Sequence, residues 1–167
     1  MTTEYFTLMS RYNRWMNQEL LAVCSEMPDE MRRADRGAFF KSVHGTFNHI
    51  LLCDRLWLGR FMQKPYAARS LDEEVCADWH ELKIERIKTD DALDIWLSTL
   101  SDHDLQSPLT FTSISQPTQR TETLWILLAH LFNHQTHHRG QVTTLMNQLG
   151  YDSGVTDLPM MPNLAAA

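Results

Sequence analysis

Apolar residues recur along this chain in four blocks, and within each block the spacing is helical. In the first, Tyr5, Leu8, Tyr12, Trp15, Met16, Leu20 and Val23 fall at three- and four-residue steps, which places them on one face of an amphipathic helix. Pro28 limits how far that helix can run, because proline disfavours the helical conformation of the residue before it. Residues 29–41 are polar and basic around Asp35-Arg36-Gly37 and read as a loop with one short helical turn. A second helix is predicted from the N-cap Ser42 to about residue 62. It is apolar over most of its circumference, the pattern of a helix buried between neighbours. Pro65 closes it, and a long connection follows to residue 77.

Asp78-Trp79-His80-Glu81 has the form of a capping box with Asp in the usual Ser/Thr position, so a third helix is predicted from there to about residue 100. Thr110-Phe111-Thr112-Ser113-Ile114-Ser115 alternates polar and apolar residues and predicts a short strand or hairpin arm, too small to define a sheet. The fourth helix is predicted over residues 121–149, with Gly150 where helices commonly end in a left-handed residue. Four long helices joined by unequal connections predict an all-α, four-helix bundle with long crossover connections, for which 63–77 and 101–120 have the length. No internal repeat or boundary divides residues 1–167, so a single domain is expected.

Two histidines interrupt the stripe of the fourth helix. Leu127, Leu131, His134, His138, Gln141 and Leu145 follow the spacing of an inward-facing seam, with His134 and His138 where leucine would ordinarily sit. A buried imidazole without a partner costs on the order of 1–3 kcal/mol. At i and i+4 two imidazoles lie roughly 5–6 Å apart at Cβ and can close on one metal ion. Gln135 stands where the metalloprotease motif has its glutamate, so protease chemistry is not implied. Spacing alone is weak evidence, since such pairs arise by chance. Four histidines within the nine residues 130–138 strengthen it.

A third ligand must come from another helix. His49, on the second helix with Thr46, Leu52, Cys53 and Leu56, is the best candidate, which puts the site between the second and fourth helices. His130, one turn before His134, is an alternative to His138, and His137 is a flanking group. His44 lies off the inward face and is expected to be exposed, as are His80 and His103 beside charged residues. Arg139 falls off the seam and is expected to pair with Asp157 in the tail.

Composition narrows the function. The formal net charge is -6 with no cluster of Lys and Arg, which argues against a nucleic-acid surface. Cys24, Cys53 and Cys76 are an odd number without paired spacing and read as packing residues rather than disulfides or nucleophiles. No segment has the length and apolarity of a membrane span or signal peptide, so a cytoplasmic location with no membrane partner is expected. The five tryptophans and nine methionines are read as core and interface packing.

The run Leu131-Phe132-Asn133-His134-Gln135-Thr136-His137-His138-Arg139-Gly140-Gln141 resembles the motif of the DinB-like family of bacterial metalloproteins. Arg36-Gly37-Ala38-Phe39-Phe40, Ser42 through Leu51 and Val155-Thr156-Asp157-Leu158-Pro159 fit the same family, so the resemblance spans essentially the whole chain. It does not extend to the lesion-bypass polymerase of the same name. The resemblance implies a bundle with non-sequential crossovers, a homodimer, and a metal site whose ligands fall on His49, His134 and His138. It is also compatible with a role in stress response.

Three neutral imidazoles suit zinc or nickel first, with iron or copper also accommodated. Three protein ligands leave a position open for water or substrate, the pattern of catalytic sites. Some relatives resemble transferases that use low-molecular-weight thiols, so one expectation is a metal-dependent transferase or hydrolase acting on a small-molecule substrate. The other is a non-catalytic dimeric metal-binding protein. The sequence identifies no general base; Asp54, Asp91 and Gln141 are the candidates.

Overall fold

A computed structural model describes residues 1–114 and 118–164. Its elements are α1 (Thr3–Ser25), α2 (Asp29–Arg33), α3 (Val43–Phe61), α4 (Trp79–Leu97), β1 (Pro108–Thr112), β2 (Gln119–Thr123) and α5 (Leu124–Gln148). The chain is mostly helical, with one two-stranded antiparallel sheet.

Local chemistry sets the helix ends. The Ser42 hydroxyl accepts from the Gly45 N–H at 3.0 Å, and the Asp78 carboxylate accepts from the Glu81 N–H at 2.8 Å, as the sequence predicts for both N-caps. The one-turn α2 carries Asp29 and Glu30 at its start and Arg32 and Arg33 at its end, matching the helix dipole. Gly45 permits a close approach: a Cβ there would collide with the Phe40 carbonyl oxygen, so glycine lets the 38–41 turn lie on the first turn of α3.

The fourth predicted helix starts later than the sequence suggested. Residues 121–123 leave it to join residues 119 and 120 in β2, which pairs with β1 in the register Leu109↔Glu122, Thr110↔Thr121 and Phe111↔Arg120. The pattern at 110–115 revealed one arm of this hairpin. Its partner was hidden because Thr121-Glu122-Thr123 also fits a helix start. Ser113 and Ile114 lie beyond the strand, and Ser115 is outside the described residues.

Both α1 and α3 make their main contacts with α4 and α5. Helices consecutive in sequence are therefore not each other's main neighbours at two steps, α1 to α3 and α4 to α5. The crossing connections are 26–42 and 98–123, whereas 62–78 joins neighbours.

Two apolar clusters fill the interior. One includes Met16, Leu20, Phe47, Leu51, Leu82, Val142 and Met146; the other includes Phe6, Trp57, Phe61, Leu93, Leu128, Leu131 and Phe132. On every long helix the residues between them are buried and polar: Asn13 on α1, Asp54 on α3, Arg86 and Asp90 on α4, Gln135 and Arg139 on α5. Arg86 pairs with Asp54 and, at 2.8 Å, with Asp90, and the Gln135 amide donates to Asp54 at 2.8 Å.

This layer corrects the reading of Arg139. It is 4% exposed, donates to Asn13 Oδ1 and to the Thr136 hydroxyl at 3.3 Å, and lies 5.4 Å from the Tyr12 ring. Asp157 is exposed in the tail and is not its partner. Cys24, Cys53 and Cys76 are free thiols and buried, as the composition suggested. No described helix is long and apolar enough to cross a membrane.

Candidate metal centre

The inward stripe of α5 is Leu128, Leu131, Gln135, His138, Arg139, Val142 and Leu145. It is rotated by about one residue from the predicted seam, so Gln135 enters the core and His134 moves to its shoulder, half-buried. His138, on the same side, is 7% exposed. From α3, His49 (4% exposed) reaches the same point.

The three rings converge. The centroids of His49 and His134 are 5.2 Å apart, those of His49 and His138 4.5 Å, and those of His134 and His138 4.3 Å. One nitrogen from each lies within 4.8 Å of the other two, and Nε2 of His49 and His134 are 3.3 Å apart. Donors on one tetrahedral zinc ion, at about 2.0–2.1 Å from it, would be roughly 3.3–3.4 Å apart. Small side-chain rotations therefore suffice to enclose one ion.

Hydrogen bonds orient two of the rings. His49 Nδ1 donates to the Leu71 carbonyl at 2.7 Å, which leaves Nε2 as a lone-pair donor toward the cluster. His138 Nδ1 meets Gln141 Oε1 at 2.9 Å and is fixed in the same sense. Such outer partners hold metal-binding imidazoles in place. His134 is the least anchored, since its Nδ1 is buried without a partner. Phe40 packs flat on His49 (3.7 Å, 16°) and edge-on to His138 (5.5 Å), so the turn seated on Gly45 covers one side of the cluster.

Burial and mutual repulsion keep these bases neutral. Burial is the main cause that pushes His49 down to about 4, with the His138 charge adding to it. His134 falls to about 3, first from burial and then from His138 and His49. His138 is lowered by burial, partly offset by Gln141. No carboxylate belongs to the cluster among the described residues. Three neutral imidazoles without an acid form a donor set that fits a borderline-soft divalent cation.

The other side opens on a cavity of about 660 Å³ lined by His49, His134, Cys53, Trp57, Arg60 and His130, with Phe111 and Glu122 of the hairpin. Cys53 Sγ lies 3.6 Å from His49 Nε2, and burial pushes this thiol up to about 12. Its i+4 spacing from His49 was the available sequence signal.

The remaining predicted residues divide. His130, 5.9 Å from the His134 ring, and His137, 4.8 Å from the His138 ring, flank the cluster. His80 and His103 are exposed as expected. His44 is not: it is 2% exposed, with Nε2 at 3.0 Å from both the Cys76 carbonyl and Glu74. The 74–76 segment folds over the start of α3, a long-range contact that helical facing does not register. Among the general-base candidates, Asp54 is committed to Arg86 and Gln135, and Asp91 is paired with Arg14 at 2.6 Å. Gln141 supports His138. None of the three lines the cavity.

The helical fold agrees with the comparisons to known proteins. The DinB family profile matches residues 1–166, and the chain belongs to the DinB family. It is 29% identical to Protein DinB of Bacillus subtilis (strain 168) over 155 residues, 87% of each chain. Its fold is similar to the crystal structure of a DinB-like protein from Bacillus cereus ATCC 10987, at 22% identity and a TM-score of 0.65, covering 85% of this chain and 91% of that one.

Proposed function

We propose that His49, His134 and His138 bind one divalent transition metal between α3 and α5 of a four-helix bundle, and that the protein is a metal-dependent enzyme acting on a small molecule. The observation that carries this reading is the convergence of three neutral nitrogen donors, two of which (His49 and His134) line a 660 Å³ cavity, with no fourth protein ligand among the described residues. A structural site would be closed by a fourth ligand; an open position facing a cavity is the catalytic pattern.

Zinc or nickel suits the imidazole set best, with iron or copper as further options. When bound, such an ion supplies Lewis acidity and lowers the pKa of a coordinated water or thiol. His49 and His138, held by Leu71 and Gln141, would fix the direction of the open position. Phe40 would shut water out on one side, leaving approach through the cavity. Transfer of a low-molecular-weight thiol to an electrophile is the reaction we favour, because burial keeps the protein's own thiol at the cavity wall, Cys53, protonated, so the attacking thiol would come from the small molecule.

Elemental analysis of tag-free protein should find about one metal per chain, falling well below that in His134→Ala. A panel of thiols and electrophiles should show metal-dependent turnover that His134→Ala loses. Stoichiometric metal that stabilises the fold without any turnover would instead assign the ion a structural role. Substoichiometric metal in the wild type would sink the reading.

A further inference from the structure

The cavity beside the histidines contains a cation that, among the described residues, has no carboxylate partner. Arg60 follows His49, Cys53 and Trp57 on one face of α3, eleven residues after His49, which is about 16 Å along the axis. Helical side chains lean toward the N-terminus, so its stem points back toward the cluster. Its guanidinium lies 4.5 Å from the Trp57 ring and 5.3 Å from Phe111, and it donates to the Thr112 carbonyl at 3.1 Å. Among the described residues no carboxylate forms an ion pair with it. Burial lowers its pKa, offset only in part by the Cys53 thiol and by no carboxylate.

A half-buried arginine stacked between aromatic rings, with N–H groups left over, is a ready fork for a carboxylate. The lining supports this. The protein carries a net charge of -6, yet the fully charged side chains at this cavity are Arg60, Arg120 and Glu122, an excess of one positive charge. The walls between Arg60 and the histidines are apolar, from Leu56, Trp57, Ile126 and Leu127.

We infer that the cavity takes a small molecule with a carboxylate at one end, held by Arg60, and its reacting group at the other, against His49 and His134. This substrate class rests on the metal-site reading only for the reacting end; the carboxylate end stands on Arg60 alone.

Calorimetric titration with 6-mercaptohexanoate and the neutral 6-mercaptohexanol tests this on zinc-loaded and on metal-stripped protein. The wild type should prefer the carboxylate by about tenfold or more in both forms. Arg60→Gln should abolish the preference while leaving the affinity for 6-mercaptohexanol unchanged, and Arg60→Lys, which keeps the charge, should retain part of it. Equal affinity of the wild type for the two probes would overturn the inference, as would no binding of either at millimolar concentration. A preference that survives in Arg60→Gln and vanishes on metal removal would overturn it too, by assigning the carboxylate to the ion. Because the metal-stripped arm contains no ion, failure of the metal reading leaves this test intact.

Discussion

In the layer formed by Asn13, Asp54, Arg86, Asp90, Gln135 and Arg139, drawn from four helices, the Arg86 guanidinium answers the buried acids Asp54 and Asp90; at the shoulder of the same α3 and α5, His49, His134 and His138 converge with no acid among them. Both regions remove polar groups from water. In the first, burial disfavours the charge on Arg86, but Asp90 and Asp54 outweigh it and raise its pKa. In the second, burial and neighbouring histidines act in the same direction, and all three pKa values fall. A polar cluster that neutralises itself holds the fold together. One made only of bases is left with lone pairs for a cation from outside.

The largest expected effect separates the two directly. Arg86→Met leaves Asp54 and Asp90 buried without their cation and should cost about 3–5 kcal/mol. His134→Ala in metal-free protein should change stability by less than about 1 kcal/mol. Urea denaturation of both variants measures the contrast, and equal losses would break it.

Zinc should then stabilise the second region and not the first. At about 100 times its dissociation constant it should add about 2.7 kcal/mol to the wild type. His49→Ala should lose that increment in the same denaturation assay, while the milder Asn17→Ser, which changes the buried α1 amide that donates to Asp90 at 3.2 Å, should keep it.

Gln141→Ala frees His138 Nδ1 without removing a ligand. A drop of about 10–100-fold in zinc affinity is expected, read by competition with a chromophoric chelator. Unchanged affinity would show that His138 does not need this hydrogen bond.

The smallest effect is a pH dependence with a definite sign. Ordinary histidine titrates near about 6.5, and folding lowers His49 to about 4 and His134 to about 3. Between those values the unfolded chain binds more protons, so folding stability falls as the pH drops. The metal-free protein should be at full strength above about pH 6.5 and weaken progressively toward pH 4. Denaturation at pH 7 and pH 5 should show a shallower dependence in His49→Ala than in the wild type.

Much of this was legible in the sequence because it is local. Ser42 and Asp78 cap the helices they were predicted to cap, and a 3.6-residue period located the four long helices. His49, His134 and His138 could be named because a metal cluster needs residue types that are rare in a core. Periodicity, however, fixes an element and not its rotation. Neighbouring residues on a helix differ by about 100°, and with histidine, glutamine and arginine side by side on α5 hydropathy could not choose which faced inward. Tertiary packing chose Gln135 and Arg139, because Asp54 and Asn13 wait across the core to bond them. The same limit explains His44, which is covered by a segment some thirty residues later, and β2, whose identity depends on a partner strand. It also explains Arg60, which acquires its meaning only when α3, the hairpin and α5 enclose one cavity. The chain alone specified which groups could bind a metal; only the folded arrangement decided that they converge, what holds them, and that they open on a space large enough for a ligand.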